Sequence, residues 1–251
     1  MKLYKQLLTE NDCYRAGRTI TPKGVMVHST GADNPRVCRY VPGNDILGYN
    51  SGGNHWNRPG LNKCVHAFVG KLADGTVGTV QTLPWERRGW HAGGAANNTH
   101  IGFEICEDSL EDSGYFQAVY REAVELTAML CRTYGLDPRR DGVVICHREG
   151  HQRGIASNHG DVMHWFPRHG ITMDDFRAEV ARELEGGEHV TYGEWKAYME
   201  QYRRELAGQS ATMPQLLSEA VAMGLTDGTR PRDLVTREEC AVMARAAGNR
   251  G

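Results

Sequence analysis

The chain has 251 residues, of which 40% are hydrophobic and 24% charged, and its formal net charge is −2 at pH 7. That length holds one substantial domain and a smaller one, and the near-neutral balance excludes nucleic-acid binding through a basic surface. No apolar run approaches the roughly 18 residues that a membrane-spanning helix needs, which excludes insertion of that kind.

Residues 1–24 read as a lead-in, without the apolar core and small-residue cleavage site of a secretory signal. Synthesis in the cytoplasm is therefore expected. Seven cysteines without a C-x-x-C pair point to reduced thiols, with Cys106, Cys131 and Cys146 in apolar, periodic contexts that place them in the core. Val25 to His28 forms the first clear strand and ends at Ser29-Thr30-Gly31. Open α/β sheets place their chemistry at the carboxyl ends of strands. A packed core histidine is the plainer reading of His28 from these residues alone.

Residues 31–64 lack periodicity, as loops that line a groove do. Tyr49, His55, Trp56, Asn57 and Arg58 are its candidates for substrate contact. Val65 to Gly70 and Thr76 to Thr82 flank Asp74-Gly75, the signature of a hairpin, with His66 packed inside the first arm. A second loop, residues 83–99, carries Trp85, Trp90 and His91. Ile101 to Cys106 then alternates apolar residues with Gly102 and Glu104. A carboxylate in that position is either a structural ion-pair partner or a catalytic group whose pKa burial has raised.

Tyr115 to Tyr134 is a helix with one apolar face, stopped by Gly135 and Pro138. The run Val143 to Cys146 is a buried strand leading into His147. Five of the eleven histidines lie between His147 and His169, in a segment read as loop. Imidazoles and a carboxylate on a loop braced by a strand suit zinc. Thr172 to Asp175 caps a helix that runs to about Glu185. Residues 1–186 thus read as an α/β domain and Gly186-Gly187 as a boundary.

Residues 187–251 read as a small all-α module. One helix follows a capping box at Thr191 to Glu194, with a stripe of Trp195, Met199, Tyr202 and Leu206. A second starts at Pro214 and is expected to bury Leu216, Leu217, Ala220 and Val221. A third capping box spans Thr236 to Glu239.

Four segments, taken together, resemble a known family: VMVHST at 25–30, VHAFVGKLADGTV at 65–77, GWHAGGAANNTHIGFEICED at 89–108 and CHREGHQRGIASNHGDVMHWFP at 146–167. The chain resembles the type 2 N-acetylmuramoyl-L-alanine amidases, the bacteriophage-lysozyme and peptidoglycan-recognition superfamily. The resemblance implies an α/β fold with a central mixed β-sheet flanked by helices, a Zn²⁺ ion, and peptidoglycan as substrate. His28 matches the first metal ligand, His147 the second and Asp161 the third, with His151, His159 and His164 as alternatives for the third. Glu104 matches the family's acidic residue, a proton shuttle, and His159 stands where the family has a catalytic lysine. Val162-Met163 departs from the Pro-Gly that usually follows the third ligand.

Trp90, His91, Tyr49 and Trp56 are the implied substrate contacts. The implied activity is cleavage between N-acetylmuramic acid and the L-alanine of the stem peptide, in a phage or prophage endolysin. A non-catalytic peptidoglycan-recognition protein and a cytosolic wall-fragment recycling amidase are the alternatives on this fold. A cysteine peptidase built on Cys146 or Cys106 is the rival from another class. Residues 224–246 resemble a single S-layer-homology-type wall-binding half-repeat, with oligomerisation through the C-terminal helices as the other role for the tail.

Overall fold

A computed structural model describes residues 1–186, 192–229, 231, 232, 240 and 245. In chain order the first elements are β1 (Leu3–Lys5), α1 (Asp12–Arg15), β2 (Gly24–Ser29), β3 (Gly43–Asn44), β4 (Gly48–Tyr49), β5 (Ala67–Lys71), β6 (Val77–Gln81) and β7 (His100–Ile105). There follow α2 (Ser113–Tyr134), β8 (Val144–Cys146), α3 (His147–Gln152), α4 (Met173–Leu184), α5 (Tyr192–Ala207) and α6 (Pro214–Ala222). The chain divides into two compact units, Met1–Glu188 and His189–Gly251.

In the first unit six strands form one sheet in the order β1-β6-β5-β7-β2-β8. β5 and β6 pair antiparallel across the Asp74-Gly75 turn, where Gly75 takes a φ of +82° that a side chain would resist. The other neighbours pair in parallel, so the sheet is mixed. Alternation along the strands sends Val25, Val27, Ile101, Phe103 and Ile105 to one face, where they meet the apolar faces of α2 and α4 in the main core. α2 starts where the Asp112 carboxylate accepts the Tyr115 N–H at 3.0 Å and ends at Gly135, whose φ of +64° closes the helix.

The opposite face carries Met26, His28, Gly102 and Glu104 and is covered by loops instead of long helices. Ala92 and Ala96 pack on Met26 and Ile145 there. Further along, Tyr40 stacks on Phe68 with Trp56 edge-on. A face roofed by loops leaves room for a cavity; a face roofed by helices does not.

Three expectations are corrected in detail. Residues 1–24 are more than a lead-in, because Leu3–Lys5 adds a parallel edge strand to β6. The segment after His147 begins as a short helix, α3, and not as loop. α6 buries none of its residues: Leu216 is 59% exposed and Val221 42%, because a periodic stripe is buried only where another layer covers it. The segments Thr236 to Glu239 and most of 224–246 lie outside the described residues, as does Thr191. All seven cysteines are free, and Cys106, Cys131 and Cys146 are buried. Among the described residues no helix is long and apolar enough to cross a membrane.

Candidate metal centre

Strand register builds the site. His28 on β2 lies opposite Glu104 on β7, and Val27 lies opposite Cys146 on β8. His147 follows Cys146 directly, so Glu104, His28 and His147 stand in a row at the carboxyl ends of three adjacent parallel strands. The turn that starts α3 is braced: the Glu149 carboxylate accepts the Cys146 N–H at 3.0 Å, and Arg177 of α4 donates to Glu149 at 3.1 Å and to the Val144 carbonyl at 3.0 Å.

Asp161 reaches the same point from the start of a short 3-10 helix, Asp161–His164. Its φ is +43°, a left-handed conformation that costs a non-glycine residue about 1–3 kcal/mol. The three donor atoms then form a small triangle. His147 Nδ1 is 2.9 Å from Asp161 Oδ2, His28 Nδ1 is 3.3 Å from the same oxygen, and the two nitrogens are 3.1 Å apart. Two ligand atoms on a tetrahedral zinc, with bonds of about 2.05 Å, lie about 3.3 Å apart. The donor set and its spacing therefore fit zinc, and lone pairs converging this closely repel unless a cation or proton lies among them. Among the described residues this is the one such group of three.

The electrostatics agree. Burial lowers the pKa of His28 against the pull of Asp161, which favours the neutral, metal-binding ring. Burial alone would raise Asp161, yet the two imidazoles beside it, His147 first and then His28, hold its carboxyl well below the usual range. Glu104 is pushed the other way, well above the usual range, by burial and then by the charges of Asp161 and Glu107. Its Oε2 is buried without a hydrogen-bond partner.

These groups open on a cavity of about 560 Å³. His159 lines it, with Nδ1 3.0 Å from Ser157 Oγ and its ring 4.7 Å from that of His147. Ser157 Oγ donates to the Ala92 carbonyl at 3.2 Å and stands 3.1 Å from His147 Nε2. Trp90 and Trp56 also line the cavity, but Trp56 is 9% exposed and Lys63 sits 4.7 Å over its ring. Tyr49 is not among the lining residues; it is 70% exposed and its hydroxyl donates to Asp45. His91 touches the cavity, yet both its ring nitrogens are engaged by the protein, one with His28 and one with the His100 carbonyl. Neither nitrogen is then left for a hydrogen bond to substrate.

Of the alternatives for the third donor, His151 is exposed with Nδ1 3.4 Å from the Ala156 carbonyl, and His164 pairs with Glu107 at 3.0 Å. Ser157 and Lys63 line the cavity, and Glu107 pairs with His164 at its edge; none of the three has a mark in the sequence, since polar residues in aperiodic loops carry no local signal. Cys146 is no nucleophile: it is buried in the core under α2 and α4, and burial pushes its thiol up to about 11.

The profile of the N-acetylmuramoyl-L-alanine amidase family matches residues 18–166, more than half of the chain. No curated protein matches. Among solved structures, the Staphylococcus aureus hydrolase AmiA in complex with its ligand is similar at 21% identity, covering 73% of this chain and 83% of that one, with a TM-score of 0.53. PlyL is similar at 21% identity over 72% of this chain and 97% of that one, with a TM-score of 0.50. These two likenesses show a shared fold.

Proposed function

The chain belongs to the N-acetylmuramoyl-L-alanine amidase family, and from that membership we propose a zinc-dependent peptidoglycan hydrolase that works as a phage or prophage endolysin. The bond cut is the amide between the lactyl group of N-acetylmuramic acid and the L-alanine of the stem peptide. One observation carries the zinc reading: the triangle of His28 Nδ1, His147 Nδ1 and Asp161 Oδ2, with sides of 2.9 to 3.3 Å.

Zinc held there supplies Lewis acidity for the scissile carbonyl and the attacking water. The chain's own residues do the rest. Glu104 takes a proton from the water at its partnerless Oε2 and delivers it to the leaving amine nitrogen. Loss of that proton turns water into the nucleophile, and its return turns the amide nitrogen into a neutral leaving group. His159, on the cavity wall beside His147 with Nδ1 turned to Ser157 Oγ, donates from Nε2 in its imidazolium form to the carbonyl oxygen as negative charge builds on it. Trp90 and Trp56 shape the channel beside these groups, and Tyr49 contributes only to substrate that extends beyond the cavity.

The endolysin role rests on the tail. Residues 1–186 form the catalytic domain in this reading, and 187–251 a wall-binding module, supported by the resemblance of 224–246 to a wall-binding half-repeat. Metal analysis of purified protein should find about one zinc per chain. Digestion of sacculi should release new L-alanine amino termini, and a chelator should stop it while thiol alkylation does not. Binding to sacculi without amine release would instead establish a recognition protein. Cleavage of soluble wall fragments with sacculi left intact would establish a recycling amidase.

A further inference from the structure

The His91 imidazole sits in a slot made by two glycines. A Cβ on Gly102 would lie 2.4 Å from its Cγ and Nδ1, and one on Gly89 would lie 2.8 Å from its Cδ2. The backbone N–H groups of His91 and Ala92 both donate to Asn97 Oδ1, at 2.9 and 2.8 Å, so the segment presenting the ring is tied down as well. The ring's two nitrogens face different partners. Nε2 is 3.1 Å from the His100 carbonyl, and Nδ1 is 2.9 Å from His28 Nε2.

Counting protons fixes the direction of each bond. A carbonyl only accepts, so His91 Nε2 carries the hydrogen that bonds to His100. A neutral imidazole has one N–H, so His91 Nδ1 is then bare and accepts. His28 must supply the hydrogen from Nε2, which leaves its own Nδ1 bare, aimed at Asp161 Oδ2 and His147 Nδ1. A charged His91 would break this sequence. Burying that charge with no carboxylate among the ring's hydrogen-bond partners is costly.

We propose that His91 is a positioning residue: it locks His28 in the tautomer that binds metal, through a relay running from the His100 carbonyl by way of one neutral imidazole to the next. The proposal rests on the zinc reading of the centre. Metal-bound histidines are ordinarily oriented by a carboxylate, a backbone carbonyl or water, and here an imidazole stands between ligand and carbonyl.

Two variants of the full chain isolate the relay. His91→Phe fills the glycine slot but removes the acceptor facing His28, whereas His91→Asn keeps an oxygen near the Nδ1 position. Both lose the bond to His100, so they differ mainly at the acceptor. Zinc affinity, measured by competition with a chromogenic chelator, should fall about 10–100-fold in His91→Phe. His91→Asn should recover most of that loss, and the two metal-free variants should melt together. Equal zinc affinity in His91→Phe and the wild type, or equal losses in both variants, would overturn the relay. Nitrogen NMR of the metal-free wild type should find Nδ1 bare on both rings, and a proton on His91 Nδ1 would overturn it even if neither variant folds. A wild-type chain that binds no zinc would refute the metal centre itself, a result distinct from all of these.

Discussion

Burial without a partner makes the ionised form of Glu104 costly to the fold, and in the proposed mechanism the same burial favours the carboxyl holding the proton it takes from water. Its folded pKa lies above the unfolded one. Its favourable contribution is therefore complete below the unfolded value, near 4.5, and is lost as pH rises through the folded value. Glu104→Gln should lower turnover by about 10²–10⁴-fold while leaving zinc content and sacculus binding intact. Metal-free Glu104→Gln should also melt above the wild type at pH 7, with the gap closing towards pH 4; a gap constant with pH would contradict the raised pKa. His66 has the opposite linkage. Burial lowers its pKa from 6.5 to about 4, and its ring accepts the Gly102 N–H at 3.0 Å and donates to the Arg87 carbonyl at 2.8 Å. Its contribution is present above pH 6.5 and lost as pH falls towards 4, by about 3 kcal/mol in all. His66→Gln, whatever it costs at neutral pH, should remove that part of the acid slope in urea titrations of the metal-free protein. His28, Glu104 and His147 were legible as site candidates because each ends or interrupts an apolar strand. Asp161 needed the resemblance and then the fold, since a left-handed aspartate among histidines has no periodic mark.

At the level of elements, the strands that carry the site were the most readable. β2, β7 and β8 are short apolar runs, and their register alone aligns Glu104, His28 and His147. β1 escaped because a three-residue strand that is mostly exposed has no pattern to detect. α3 escaped because His-Arg-Glu-Gly-His-Gln is short, holds a glycine and is fixed by partners distant in sequence. Arg177 is the chief of those partners, joining α4 to Glu149 on α3 and to the end of β8. Arg177→Met should cost about 1–3 kcal/mol in denaturant unfolding. It should also weaken zinc binding, because the helix it braces begins at a metal-site histidine. Loss of stability with unchanged zinc affinity would show that His147 is held without it.

For the molecule as a whole, the proposed division of labour predicts that residues 1–186 alone keep hydrolysis of soluble wall fragments within a few-fold. The same truncation should lose retention on sacculi in a pull-down assay; full retention would assign wall binding to the first unit. The tail was the least legible region, because helical periods specify helices without specifying what covers them, as the exposure of Leu216 and Val221 shows. The outer margins of the sheet have their own consequence. β1 and β8, at its two borders, contribute three residues each. A stray extended peptide arriving at either border finds only a few backbone groups to zip onto, so the protein should reach high concentrations without growing into fibres.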